Sequence, residues 1–263
     1  MELKLIKGVD GAEEILTRLD PLDFSGLPES VLAQTRRIFG EGVTPEESVI
    51  RILRDVRASG DAAVRHYAKM LDDIDLQDFL VSPAQMDQAR AVVSDELRSS
   101  LELAAQRVKE FHEAVMPSDW LDETKGLGEL IRPLDRVGLY APGGTAAYPS
   151  TVLMTAVPAR VAGVKEIILA TPRRGKEPLN PAVLVAAEIA GVDAIYQVGG
   201  VPAIGAMAYG TESVPRVDLI CGPGNIFVTL AKKLLFGEVG IDGLYGPTET
   251  VIVADESANP TLC

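Results

Sequence analysis

Two different periods of apolar residues divide this chain. Up to about Trp120 the spacing is helical. Val49, Ile52, Leu53 and Val56 share one face, and Leu97, Leu101, Leu103, Ala104, Val108 and Phe111 form a longer stripe. Thr44-Pro45-Glu46-Glu47 supplies an N-cap, a Pro at the first helical position and a Glu three residues after the cap. Ser82-Pro83 starts another helix in the same way, and Gly60-Asp61 marks a break or restart. Pro117-Ser118-Asp119-Trp120 and Lys125-Gly126-Leu127-Gly128 read as a junction, which puts a boundary near residue 125.

Beyond that junction the period shortens. Apolar runs at 137–141, 166–170, 194–198 and 217–221 alternate with helical stretches at 151–162, 180–190, 201–208 and 225–235. Each β–α pair takes about 25–30 residues, the repeat of βαβ units in a parallel sheet. Ser150 or Thr151 is expected to cap the first of these helices, and Asn180-Pro181 caps the second. The pattern predicts an α/β fold, with a Rossmann-like parallel-sheet domain over 126–245. After it, Gly246-Pro247-Thr248-Glu249 reads as a turn and 250–254 as a buried strand. Asn259-Pro260 then looks like a helix start three residues before the last one, the expected mark of a chain cut short.

Three glycine turns stand where strands should hand over to helices. They are Gly138-Leu139-Tyr140-Ala141-Pro142-Gly143-Gly144, then Gln197-Val198-Gly199-Gly200, then Gly222-Pro223-Gly224-Asn225. In a parallel sheet such turns line the carboxyl edge, where ligands bind and helix N-termini favour anionic groups. Three of them point to a nucleotide-sized site. The first departs from G-x-G-x-x-G, and no acidic residue clearly takes the ribose-binding part. Tyr140 could lay its ring on a flat ligand, with Tyr148 and Pro149 closing over the crevice, or be an ordinary strand tyrosine. Asn225 could bond a ligand, cap the next helix, or do both.

Composition narrows the function classes. Of 263 residues, 47% are hydrophobic and 24% charged, with a net charge of −13. That balance suits a soluble globular protein and argues against nucleic acid, which calls for a basic face. The densest basic run, Arg173-Arg174-Gly175-Lys176, reads as a solvated loop in preference to a phosphate grip. No apolar stretch approaches roughly 18 residues, so no membrane span is expected, and the first residues lack a signal-peptide pattern. Two cysteines, Cys221 and Cys263, give neither a disulfide framework nor a metal motif, which fits a reducing cytoplasm. His66 and His112 lie far apart on helices and read as ordinary surface or core residues. Glu249 is the best-placed acid, yet reads as structural. No catalytic set and no metal site can be assembled from these residues.

The run Val137 to Ala146, its continuation Pro149 to Met154 and Ala156 to Gly163, and the segments Tyr209 to Pro215, Gly222 to Asn225, Gly246 to Glu249 and Ala254 to Glu256 closely resemble the histidinol dehydrogenase family. The resemblance implies a zinc-dependent homodimer that oxidises L-histidinol to L-histidine through the aldehyde, with two NAD consumed. It implies that residues 1–125 begin another α/β domain, incomplete here, to which 246–263 return. It makes Tyr140 and Asn225 NAD contacts and Thr248 a substrate contact, where family members carry serine. Pro202 stands where they carry a glutamine that touches NAD. These two departures leave room for another small polyol, including a sulfonated one. The family's zinc ligands and its Glu–His acid–base pair match no residue of this chain, so the resemblance implies no turnover by these residues alone. A non-catalytic nucleotide-binding protein is the remaining alternative.

Overall fold

The four apolar runs become neighbouring parallel strands of one sheet. The computed structural model describes residues 29–143, 148–173, 175, 177–245, 252–259 and 261. Two compact units divide it, Met1–Thr44 and Pro45–Cys263. The first contains helix α1 (Glu29–Phe39). In the second, helices α2 (Pro45–Asp72), α3 (Pro83–Val92) and α4 (Asp95–Ala114) precede a hairpin of β1 (Trp120–Asp122) and β2 (Leu127–Glu129). Then come β3 (Arg136–Tyr140), α5 (Pro149–Val161), β4 (Glu166–Ala170), α6 (Pro181–Ile189) and β5 (Ala194–Tyr196). α7 (Gly200–Tyr209), β6 (Leu219–Cys221), α8 (Ile226–Leu235) and β7 (Gly240–Ile241) complete the order.

The sheet runs β5-β4-β3-β6-β7, with every adjacent pair parallel. Alternation assigns the faces. Val137, Leu139, Ile167 and Leu169 join a core with α3 to α6, while Gly138 on β3 faces Met207 of α7. α2, α7 and α8 pack together. Helix α7 buries every residue from Val201 to Ala208, as a helix apolar all round must. The short segment around Leu80 adds an antiparallel edge beside β5, with the Val81 N–H bonded to the Ile195 carbonyl at 2.8 Å. No helix of the described residues is long and apolar enough to cross a membrane.

Several local expectations hold. Ser82 and Gln85 form a reciprocal capping box before α3, and Asn180 accepts from Ala182 N–H before Pro181 opens α6. Others are corrected. Pro149 takes the first position of α5, so the cap falls on Tyr148, which makes no side-chain cap bond; Ser150 and Thr151 lie inside the first turn. On α4 only Leu101 and Ala105 are buried, whereas Leu97, Leu103 and Phe111 are exposed. The predicted strand at 250–254 fails over 252–254, which have no regular structure and leave Val253 93% exposed. The junction near residue 125 contains the unpredicted hairpin, and β7 was not foreseen either.

The break at Gly60 is real and is held from a distance. Gly60 has φ 51° and ψ −130°, which only glycine adopts without strain. The Asp61 N–H freed by the break donates to Glu212 Oε2 at 2.8 Å, and the buried Asp61 carboxylate accepts from Ser213 N–H at 3.2 Å and from the Ser213 hydroxyl. Thr211-Glu212-Ser213 therefore clamps the helical layer to the sheet domain. Burial would raise the Asp61 pKa, but hydrogen bonds from Ser213 and Thr211, helped by Arg65, outweigh it and leave the carboxyl below its ordinary value. A depressed carboxylate stabilises the fold above its unfolded pKa and loses that contribution as pH falls through the folded one. Asp61→Ala is expected to cost about 1–3 kcal/mol at neutral pH. In urea unfolding the gap from wild type should shrink as pH falls below 3.8, the ordinary carboxyl value; a gap independent of pH would contradict the clamp.

Candidate functional site

The strand order reverses between β3 and β6. From β3 the chain steps outward to β4 and β5, then crosses back to place β6 on the other side of β3. In open parallel sheets ligands bind outside the carboxyl ends of the strands at such a switch point. The first glycine turn leaves β3 there and the third leaves β6. The middle turn follows β5, two strands away, and reaches the same edge through Tyr140, whose hydroxyl accepts the Gly200 N–H at 3.0 Å.

Backbones meet closely along this edge. A Cβ on Gly222 would lie 2.1 Å from the Tyr140 carbonyl oxygen, so the β6 turn lies directly against the end of β3. Gly199 is pressed on the Pro172 ring in the same way, with 2.3 Å left for a Cβ. Both glycines are thus required by neighbouring protein, whatever else the turns contact. Tyr140 is 4% exposed. Burial pushes its phenol up to about 12; the Gly200 bond opposes this and the charge of Asp72 adds to it. At neutral pH it is a protonated hydroxyl, able to donate and unfit as a base.

Asn225 caps α8. Its Oδ1 accepts the Val228 N–H at 3.1 Å, and the residue is exposed, so its amide NH₂ remains available at the mouth of the crevice. The cap and the ligand readings coexist. Two residues that sequence reasoning missed hold the turn before it. Gly222 donates its N–H to Asp242 Oδ2 at 2.8 Å, and its carbonyl accepts from Lys232 Nζ at 3.0 Å. Lys232 is 2% exposed and pairs with Asp242. Its signal was present: Val228, Lys232 and Leu235 follow helical spacing, so the lysine sits on the buried stripe of α8. Asp72, ending α2, was also missed; its charge reaches Tyr140.

The comparisons with known proteins agree with this topology. The family model described as Histidinol dehydrogenase matches residues 40–263. The chain belongs to the histidinol dehydrogenase family. It is 48% identical to the Histidinol dehydrogenase of Dehalococcoides mccartyi strain CBDB1 over 99% of its own length and 59% of the relative's. To Histidinol dehydrogenase 2 of Nostoc sp. PCC 7120 it is 50% identical, over 85% of this chain and 53% of that one. The crystal structure of histidinol dehydrogenase from Elizabethkingia anophelis superposes with a TM-score of 0.79 at 36% identity, covering 88% of this chain and 55% of the other. The chain spans little more than half the length of these relatives.

Among the residues the family resemblance singles out, Tyr140 ends β3 and Asn225 caps α8 after the turn that leaves the adjoining β6. Pro202 is buried in the first turn of α7, where its missing N–H costs no helical bond. Thr248 and Glu249 lie outside the described residues. Arg173, in the loop after β4, is partly buried and its Nε has no hydrogen-bond partner; Arg174 and Lys176 lie outside the described residues. Cys221 is partly buried, and burial pushes its thiol up to about 11, far from a reactive thiolate. Among the described residues no three His, Cys, Asp or Glu side chains gather as a metal site. The dinucleotide expectation fits this edge; the described residues do not fit zinc.

Replacing Tyr140 by Phe strips the Gly200 N–H of its acceptor inside the protein. The expected loss is about 1–3 kcal/mol in chemical denaturation. An unchanged unfolding midpoint would show that the hydroxyl does not anchor the start of α7.

Proposed function

We propose that this chain provides the cofactor-binding part of an NAD-linked histidinol dehydrogenase, the oxidoreductase that converts L-histidinol to L-histidine in histidine biosynthesis. One observation carries the reading. The two glycine turns holding Tyr140 and Asn225 flank the switch point of a parallel sheet in a member of this family. Bound there, NAD would accept the hydride taken from the alcohol carbon.

The chain's own part is to bind and orient. Tight turns let a dinucleotide approach the backbone, and the start of α8 offers N–H groups and a favourable dipole to a pyrophosphate. Asn225 would supply amide hydrogen bonds to the cofactor. Tyr140, protonated, would hold the start of α7 and offer its remaining hydroxyl proton. The described residues supply no ligand set for zinc. The proposal extends to a cytoplasmic homodimer acting on a small molecule, and to a cofactor domain over 126–245 between parts of a second domain at 1–125 and 246–263. Pro202 and Thr248 favour a second reading, in which the substrate is another small polyol such as a sulfonated diol.

Titration calorimetry on the purified 263-residue chain tests the cofactor claim. Saturable binding of NAD is expected, together with no histidinol oxidation in the presence of zinc. Absence of NAD binding would remove the cofactor reading. Measurable turnover would overturn the assignment of the chemistry to groups outside this chain.

A further inference from the structure

A buried charge is costly unless it is paired and hydrogen-bonded, and Lys232 is buried against the partly exposed Asp242. Both find further hydrogen bonds on a single residue, Gly222. Asp242 Oδ2 takes the N–H of Gly222 at 2.8 Å, and Lys232 Nζ donates to the carbonyl of Gly222 at 3.0 Å. Both backbone polar groups of one glycine are therefore held by two side chains that also bind each other. That glycine has φ +124° and leaves no room for a side chain against Tyr140. The turn is fixed on one side by packing and on the other by charge.

The pair does more than satisfy buried atoms. Asp242 follows β7, and Lys232 projects from the last turn of α8, so they tie the β6 turn to both of these elements. Asp242 Oδ1 also accepts from the N–H of Gly243, and its carbonyl accepts from the Tyr245 hydroxyl at 3.0 Å. Tyr245 in turn places its ring 5.6 Å from Lys232 Nζ, and its carbonyl accepts from Thr229 of α8 at 3.3 Å. The segment that leads into Gly246-Pro247-Thr248-Glu249 is thereby anchored to the same lysine and aspartate as the Gly222 turn. One charged pair holds both the Gly222 turn and the segment that ends at Tyr245.

We propose that Lys232 and Asp242 are positioning residues for the cofactor: they preorganise Gly222-Pro223-Gly224-Asn225 so that the Asn225 amide meets the dinucleotide without reordering the loop. This rests on the NAD reading above. Fixing a loop in its bound conformation gains affinity because less ordering remains to be done on binding.

The test separates positioning from stability. Lys232→Met alone leaves Asp242 without its charge partner and is expected to lower both melting temperature and NAD affinity. In Lys232→Met/Asp242→Asn no charge is left unpaired, and an acceptor for the Gly222 N–H is kept. Its melting temperature should recover toward wild type, while NAD binding stays weaker by about tenfold, because the Gly222 carbonyl has lost its donor. Recovery of affinity together with stability would overturn the proposal and leave the pair purely structural. Should the double variant not fold, amide exchange in the wild-type chain decides. The Gly222 N–H should already be protected without NAD; rapid exchange that slows only on adding NAD would show that the ligand orders the turn, and would overturn the proposal. A wild-type chain that binds no NAD would instead remove the underlying reading, and the inference with it.

Discussion

The contact between the ends of β3 and β6 governs the site. Leu139 pairs with Cys221 in the sheet, and one residue later the Gly222 backbone lies against the Tyr140 carbonyl with no space for a Cβ. That approach puts Tyr140 and Asn225 on one edge, although 84 intervening residues separate them in the chain. It also explains why the turn after β6 needs glycine even before any ligand is considered. A larger residue would have to push the two strand ends apart, and the crevice would lose its shape.

The rest of the molecule keeps those strand ends in place. Helix α7, buried from Val201 to Ala208, fills the space between the sheet and α2, and its start is tied to β3 through the Tyr140 hydroxyl. At the other end of α7, Thr211-Glu212-Ser213 grips the break in α2 at Gly60-Asp61. The α2 layer is thus locked to the helix that supports the crevice. Lys232 and Asp242 complete the support from the β6 side. Apolar burial supplies the bulk of the driving force, while these few polar contacts select one arrangement of the turns.

Much of this was legible in the sequence because it rests on local rules. Strand runs bounded by glycine, helices opened by Asn180-Pro181 and Ser82-Pro83, and the break at Gly60 all follow from backbone preferences of single residues. The errors share a cause as well. Ser150 and Thr151 are good caps, but Pro149 claimed the first helical position and moved the cap to Tyr148. Leu103 and Phe111 are apolar, yet α4 is a surface layer with one narrow buried stripe. Asp242, and the clamp on Asp61, depend on contacts between distant segments, which no local pattern reveals. Lys232 was the exception: a lysine on an apolar helical stripe implies a buried partner. The cap at Asn225 was also readable, since asparagine is a favoured N-cap and uses only its side-chain oxygen there.

The location of NAD is the claim on which the functional account stands. Titrating NAD into the isotope-labelled chain and following backbone amide shifts tests it directly. The account predicts saturable changes centred on residues 140–143, 199–200 and 222–225, at the carboxyl ends of β3, β5 and β6. Changes centred elsewhere, such as the groove between α4 and α5 lined by Gln106, Lys109 and Val157, or no saturable change at all, would contradict it.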